Sequence, residues 1–262
     1  MANILDNILK RGENNKNSDF MRSRRRSSFS GPLMFFILII AVIFVLSVFF
    51  RVSSIVVTGN THYTDSEIIN AIEIEQGDNL FFFDRFAAVS RVFAKLPYVE
   101  EVTVTRNLPN KVIIEVKETT AIAYIQLGTE LWTLDHNCKI LGKAAEDEDI
   151  GLVPVVGLDP GTLLINERLT TADGSERSVN FLEEIFDQIE GRGILTYITK
   201  IDFSDANNVK LSYGGKYIIN IGDPYQVEHK FSLVVSAISQ LKEGDIGIID
   251  VSDAKTVHFQ PY

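Results

Sequence analysis

The stretch LMFFILIIAVIFVLSVFF, Leu33 to Phe50, carries no charge and is broken only by Ser47. As a helix, these eighteen residues measure roughly 27 Å at ~1.5 Å per residue, close to the hydrocarbon thickness of a bilayer. A core helix of a soluble protein would need polar positions along one face, and this run has none. It is too long for the apolar core of a cleaved signal peptide, and no A-x-A pattern follows it. The reading is an uncleaved signal anchor from Leu33 to Phe50.

Charge on either side of the run sets its expected orientation. Arg22, Arg24, Arg25 and Arg26 stand just before it, and Arg51 stands alone just after. The positive-inside rule then puts the N-terminus in the cytoplasm. Residues 1–31 hold seven basic and three acidic side chains, a net +4, so the remainder must carry −14 to give the whole-chain −10. The basic segment is polar, rich in Asn, Ser and Arg, and reads as a disordered tail. Its charges are few and have no interleaved aromatics, so topology accounts for them and nucleic-acid binding is not expected. With a single cysteine, Cys138, an intramolecular disulfide is excluded and the outer region must be held by its core.

Beyond the run, the pattern reads as two units. In the first, Val52–Val57 is strand-like and Gly59-Asn60 ends it. Thr64-Asp65-Ser66-Glu67 matches a capping box, and Ile68, Ile69 and Ile72 form the buried face of the helix it opens. A second helix starts near Asp84, with Phe86, Val89, Phe93 and Leu96 as its apolar stripe, and Pro97 closes it. Val102 and Val104 alternate with polar residues, as do Val112, Ile114 and Val116, and Asn107-Leu108-Pro109-Asn110 joins the two strands as a hairpin. The order is β-α-α-β-β. The expected core is Ile55, Val57, Ile68, Ile69, Ile72, Phe86, Val89, Phe93, Val102, Val104, Ile114 and Val116, with Phe93→Ala costing about 3–5 kcal/mol if fully buried.

This order resembles a POTRA domain, and the local sequence narrows the likeness. Val57-Thr58-Gly59-Asn60, Asp65-Ser66-Glu67-Ile68 and Gly77-Asp78-Asn79-Leu80-Phe81 look like the opening of the POTRA domain in FtsQ/DivIB cell-division proteins. Leu96-Pro97-Tyr98-Val99, Val102-Thr103-Val104-Thr105-Arg106 and Leu108-Pro109-Asn110 look like its closing hairpin. Each piece is weak alone; in order, and directly after a signal anchor with a basic tail, they are specific.

The second unit runs from about Thr120 to Tyr262. Ala121–Gln126, Leu131–Leu134 and Cys138–Leu141 read as strands, with Asp135-His136-Asn137 as a turn. The acidic run Glu146–Asp149 reads as a solvated loop. Val179, Leu182, Ile185, Phe186 and Ile189 make one helix face. Ile198–Phe203, Val209–Tyr213 and Tyr217–Ile221 read as strands, with Gly214-Gly215 as a hairpin turn. Asp223-Pro224 is expected to be the N-cap and first residue of a helix. That helix carries Val227, Phe231, Val234, Val235, Ile238 and Leu241 on one face. Ile246–Val251 and Thr256–Phe259 read as the last two strands. Here too Ala121-Ile122-Ala123-Tyr124, Leu134–Leu141 and Val153-Pro154-Val155-Val156-Gly157 are similar to the β domain that follows POTRA in FtsQ/DivIB. That family often has glycine where this chain has Cys138. The resemblance covers roughly residues 20–262. The expected architecture is α+β: 1–31 tail, 32–51 span, 52–119 POTRA domain and 120–262 β domain with an antiparallel sheet.

No catalytic signature stands out. G-x-S-x-G, H-E-x-x-H, Walker A and G-x-G-x-x-G are all absent from the sequence. His136 and Cys138 sit two apart beside a strand, where Cys138 reads as half-buried filler. His62, His136, His229 and His258 lack metal-ligand spacing. No catalytic residue, cofactor, metal or small-molecule substrate is expected. The alternative is a membrane-anchored wall enzyme or sensor that uses POTRA for docking. An outer-membrane POTRA protein fits less well, because a hydrophobic helical span is wrong for it.

The resemblance implies a scaffold at the division septum. Its partners would be FtsB/DivIC-like and FtsL-like single-span proteins, bound outside the cytoplasm and linked to septal wall synthesis. It also implies a site. Family members take up FtsB/DivIC by strand addition at the C-terminal edge of the β domain, which here matches Thr256, Val257, His258, Phe259 and Gln260. The chain stops three residues after Phe259, so an open edge is expected there. The other reading makes Val257 and Phe259 core residues of an inner strand. On the edge reading, a proline at His258 should remove one ladder donor.

Overall fold

The computed structural model describes residues 30–144 and 151–262. The basic tail with Arg22, Arg24, Arg25 and Arg26, and the run Glu146–Asp149, lie outside the described residues. The chain divides into a first compact unit up to Phe50 and a second from Arg51 to Tyr262. The first contains one helix, α1 (Ser30–Phe49). Gly31–Phe49 is long and apolar enough to cross a membrane, and nearly all its side chains are exposed. A core helix would be buried, so α1 is a candidate N-terminal transmembrane helix.

The second unit opens with a three-stranded sheet of order β1-β3-β2. Its strands are β1 (Ser54–Thr58), β2 (Val99–Asn107) and β3 (Lys111–Glu118). β1 runs parallel to β3, and β2 antiparallel to it. Helix α2 (Asp65–Ile72) lies against β1, and α3 (Arg85–Lys95) lies against β2 and α2. The capping box is formed: Glu67 N–H donates to Thr64 Oγ1, and Thr64 N–H donates to Glu67 Oε2 at 2.8 Å. Asp84 caps α3 by accepting from Phe86 N and Ala87 N.

The expected core needs correction on α3. Phe86 is 77 % exposed and Phe93 38 %, while Ala88 and Val92 are fully buried. The apolar spacing was real, but the helix turns its small residues to the sheet. Close approach to β2 favours Ala and Val over Phe at the contact, and Leu80 and Leu96 complete the layer. Val57, Ile68, Ile72, Val104, Ile114 and Val116 are buried as expected, and Ile55, Ile69, Val89 and Val102 are half-buried.

The larger sheet has nine strands in the order β12-β11-β10-β9-β8-β7-β4-β5-β6. They are β4 (Ala123–Leu127), β5 (Glu130–Leu134), β6 (Ile140–Lys143), β7 (Val153–Val156), β8 (Ile198–Asp202), β9 (Val209–Tyr213), β10 (Tyr217–Gly222), β11 (Gly247–Asp250) and β12 (His258–Pro261). The sheet is mixed: β4/β7, β7/β8 and β10/β11 are parallel and the other neighbours antiparallel. Helices α4 (Glu176–Gly191) and α5 (Val227–Gln240) share one core with it. The face Val179, Leu182, Ile185, Phe186 and Ile189 is buried throughout.

Helix α5 begins at Val227, not at Pro224. Asp223 is engaged elsewhere: its carboxylate and carbonyl both accept from the buried Lys230 ammonium at 2.9 Å. Gln226 takes the left-handed conformation just before the helix. Polar contacts tie the three-stranded sheet and its helix α3 to the segments beside the larger sheet. Lys139 Nζ donates to Val99 O at 3.1 Å, and Asn166 Nδ2 donates to Ala94 O at 3.3 Å.

Candidate partner-binding edge

The turn that launches β12 is built by one carboxylate. Asp253 accepts from Lys255 N at 2.9 Å, Thr256 N at 3.0 Å and Thr256 Oγ1 at 2.9 Å. These bonds, the Thr256 amide first, pull its pKa down to about 2. They also explain why the strand starts at His258. Thr256 and Val257 were read as strand residues, but the Thr256 amide is committed to the turn.

From His258 onward, β12 pairs antiparallel with β11: Asp250↔His258, Ile249↔Phe259, Ile248↔Gln260 and Gly247↔Pro261. Among the described residues, β11 is its one strand neighbour. Tyr262 N donates to Ile246 O at 3.1 Å. Bonded and non-bonded pairs alternate along such a ladder. His258 and Gln260 therefore face β11 with their backbone groups, and Phe259 turns its N–H and C=O away from the sheet. Pro261 lies at the next outward position, where a missing N–H costs the ladder nothing. This revises the proline test: a proline at His258 would break the strand's own attachment, whereas one at Phe259 would remove the outward donor.

Side chains sort by face. Val257, just before β12, and Phe259 within it are half-buried and pack against the core. The Phe259 ring meets Tyr217 edge-on, with centroids 6.4 Å apart. His258 and Gln260 lie on the opposite face, lining a shallow hollow with Lys210, Ile218, Asn220, Ile248 and Asp250. There Asp250 accepts from Asn220 Nδ2 at 3.0 Å and Ser252 N at 2.9 Å. Burial pushes the Asp250 carboxyl up, but these bonds, led by the Ser252 amide, hold it below its usual value.

Gly247 is the residue that sequence reading missed. A Cβ there would stand 2.2 Å from Gln260 O and 2.9 Å from Pro261 Cα. Only glycine lets β12 lie this close to β11. A glycine inside a strand pattern is the available signal.

The other candidates resolve into structural roles. Cys138 is fully buried and its Sγ donates to Val179 O; burial drives its thiol pKa far up. It was expected to be half-buried. Its φ of +57° is a conformation that favours glycine. His136 meets Thr119, Asn137 and Glu100 instead of Cys138. Among the described residues, no group of three or more His, Cys, Asp or Glu could hold a metal ion.

The three-stranded sheet with two helices and the helix before it define a class: a POTRA-bearing protein with an N-terminal candidate membrane span. Residues 50–119 match the family described as "POTRA domain, FtsQ-type". The chain is 26 % identical over 234 residues to the cell division protein DivIB of Clostridium botulinum strain Hall, covering 87 % of this chain and 90 % of that one. It is 25 % identical over 254 residues to DivIB of Bacillus subtilis, covering 97 % and 89 %. A shorter match, 32 % over 113 residues, reaches cell division protein FtsQ of Corynebacterium glutamicum, covering 42 % of this chain and 49 % of that one. None of these names denotes an enzyme. Residues 50–119 are thus an FtsQ-type POTRA domain, and most of the chain is similar to proteins named as cell division protein DivIB.

Proposed function

We propose that this protein is a non-enzymatic, membrane-anchored scaffold of the division septum. It binds FtsB/DivIC-like and FtsL-like single-span proteins by strand addition along Thr256–Gln260 and so links them to septal wall synthesis. The basic tail stays in the cytoplasm, Leu33–Phe50 crosses the membrane, and the POTRA and β domains work on the far side. One observation carries the site: Phe259 directs a backbone donor and acceptor away from β11, at the edge of the large sheet. Such groups bind an extended partner strand with little demand on side-chain identity. The half-buried Phe259 ring holds the strand from beneath.

The test compares the full chain with one ending at Ala254, both in detergent, for binding to a peptide from the outer segment of a DivIC-like protein. Lost binding with an unchanged circular dichroism spectrum is expected. Retained binding by the folded, shortened chain would sink the edge assignment. Orientation is tested separately: a reporter active only outside the cytoplasm, fused after Tyr262, should be active.

A further inference from the structure

The outermost strands of a sheet present unpaired amides and carbonyls, and each open edge invites another strand. The nine-stranded sheet has two edges, β6 and β12, and they differ. At β6 the chain covers its own edge: Ile140 N donates to Glu167 O, and Asn166 N donates to Ile140 O, both at 2.9 Å. At β12 no backbone group among the described residues bonds to the outer side of Phe259. That side carries Pro261 instead.

Pro261 is inside the ladder, not beyond its end. It lies opposite Gly247, and the pairing continues past it, because Tyr262 N donates to Ile246 O at 3.1 Å. Gln260 and Tyr262, on either side of it, turn their backbone groups to β11. The groups of Phe259 and Pro261 turn outward, and by the same alternation so do those of Val257. Toward solvent, β12 therefore offers a donor and an acceptor at Phe259 but only an acceptor at Pro261. His258, Gln260 and Pro261 are exposed and Phe259 is half-buried, so an incoming strand can reach this side.

We propose that Pro261 keeps β12 from pairing with the β12 of a second copy, while leaving Phe259 open to a strand of another protein that ends opposite the proline. The second half rests on the strand-addition reading of this edge; the first does not. Two identical edges meet about a two-fold axis, antiparallel and self-complementary. Centred on Phe259, that pairing sets each Pro261 against Val257 of the other copy, and both outer pairs lose one of their two bonds. Slid by two residues, it sets Pro261 against Phe259, and the loss falls on the central pairs. In either register the pyrrolidine ring stands where an amide hydrogen would be and holds the facing carbonyl off. A foreign strand meets one proline, not two, and escapes even that by ending there, with its last carbonyl turned to water. The partner that fits is an extended segment with both backbone groups free opposite Phe259 and its strand end opposite Pro261.

The test is Pro261→Ala in the full chain, in detergent, with Pro261→Ser as the second variant if the first misfolds. Gln260→Ala is the control, since its amide faces β11 and the change adds no outward donor. Sedimentation at rising protein concentration reads self-association, and amide exchange reads position 261. Two restored donors should tighten self-association at least about tenfold over the parent and the control. The new amide at position 261 should become protected as the concentration rises. Association no tighter than that of the parent overturns the proposal. So does tighter association with the amide at position 261 exchanging freely, because the contact then lies elsewhere. A DivIC-like peptide separates the two halves. Dissolving the Pro261→Ala dimer supports both. A dimer that persists with peptide bound supports the block on self-pairing and overturns strand addition. A monomeric Pro261→Ala that takes the peptide at β12 overturns the block and leaves strand addition standing.

Discussion

Gly247→Ala should loosen β12 without unfolding the sheet. The added Cβ would sit 2.2 Å from Gln260 O, where carbon–oxygen contact needs about 3.3 Å, so β12 must move off by about 1 Å. Forced shifts of this kind cost about 1–3 kcal/mol. Against that, β12 is held by its ladder to β11 and by two half-buried side chains, Val257 and Phe259. Partial burial of those two is worth about 2–3 kcal/mol. The two quantities are comparable, so the strand should detach for a sizeable fraction of the time while the core under α4 and α5 stays intact. Amide exchange is the assay: Tyr262 N–H, which donates to Ile246 O, should lose protection, and affinity for a DivIC-like peptide should fall about tenfold. Gly244→Ala is the control, since a Cβ there meets nothing within 4 Å. An unchanged Tyr262 amide and unchanged affinity in Gly247→Ala would refute the close-approach argument.

Other substitutions test the rest of the fold. Val92→Ala, at a fully buried position, should cost about 2 kcal/mol in urea unfolding, whereas Phe93→Ala should cost about 1 kcal/mol or less; the reverse order would restore the Phe stripe as core. Asp223→Ala leaves the Lys230 ammonium in the core without its carboxylate and should cost about 2–4 kcal/mol. Lys230→Met removes both the charge and the need for a partner and should cost about half as much; calorimetry that ranks them the other way contradicts the pairing. Glu118 accepts from the amides of Thr61, His62 and Tyr63. Burial raises its pKa, but those amides outweigh it and hold the carboxyl below its ordinary value of 4.5. Its contribution is therefore complete above that value and is lost as pH falls through the lower folded value. Glu118→Gln should be less stable than the parent at pH 7, with the gap closing under acid; a pH-independent gap would refute it.

Much of this architecture was legible because local signals agreed with tertiary packing. Thr64 and Glu67 encode a helix start that needs no long-range partner. The α4 stripe has one apolar face, so periodicity could not mislead. On α3 two stripes compete, Phe86/Phe93 and Ala88/Val92. Hydrophobic reading weighs the large residues, while closeness to β2 selects the small ones. At Asp223-Pro224 a genuine cap signal lost to a long-range demand, the Lys230 ammonium, which no local pattern announces. At β12 the strand was legible from the alternation of Val257 and Phe259, but its place at an edge was only what the family resemblance implied. The outward direction of Phe259 was not legible, because it depends on the register with β11, and a shift of one residue would reverse it.

The central claim, strand addition at β12, is tested most directly by residue-resolved amide exchange of the Arg51–Tyr262 unit with and without a DivIC-like peptide. Alone, the Gln260 amide should be protected by β11 while the Phe259 amide exchanges freely. With the peptide bound, Phe259 should become protected at least tenfold and Gln260 should change little. A peptide that binds while the Phe259 amide stays unprotected would place the partner elsewhere and contradict the account.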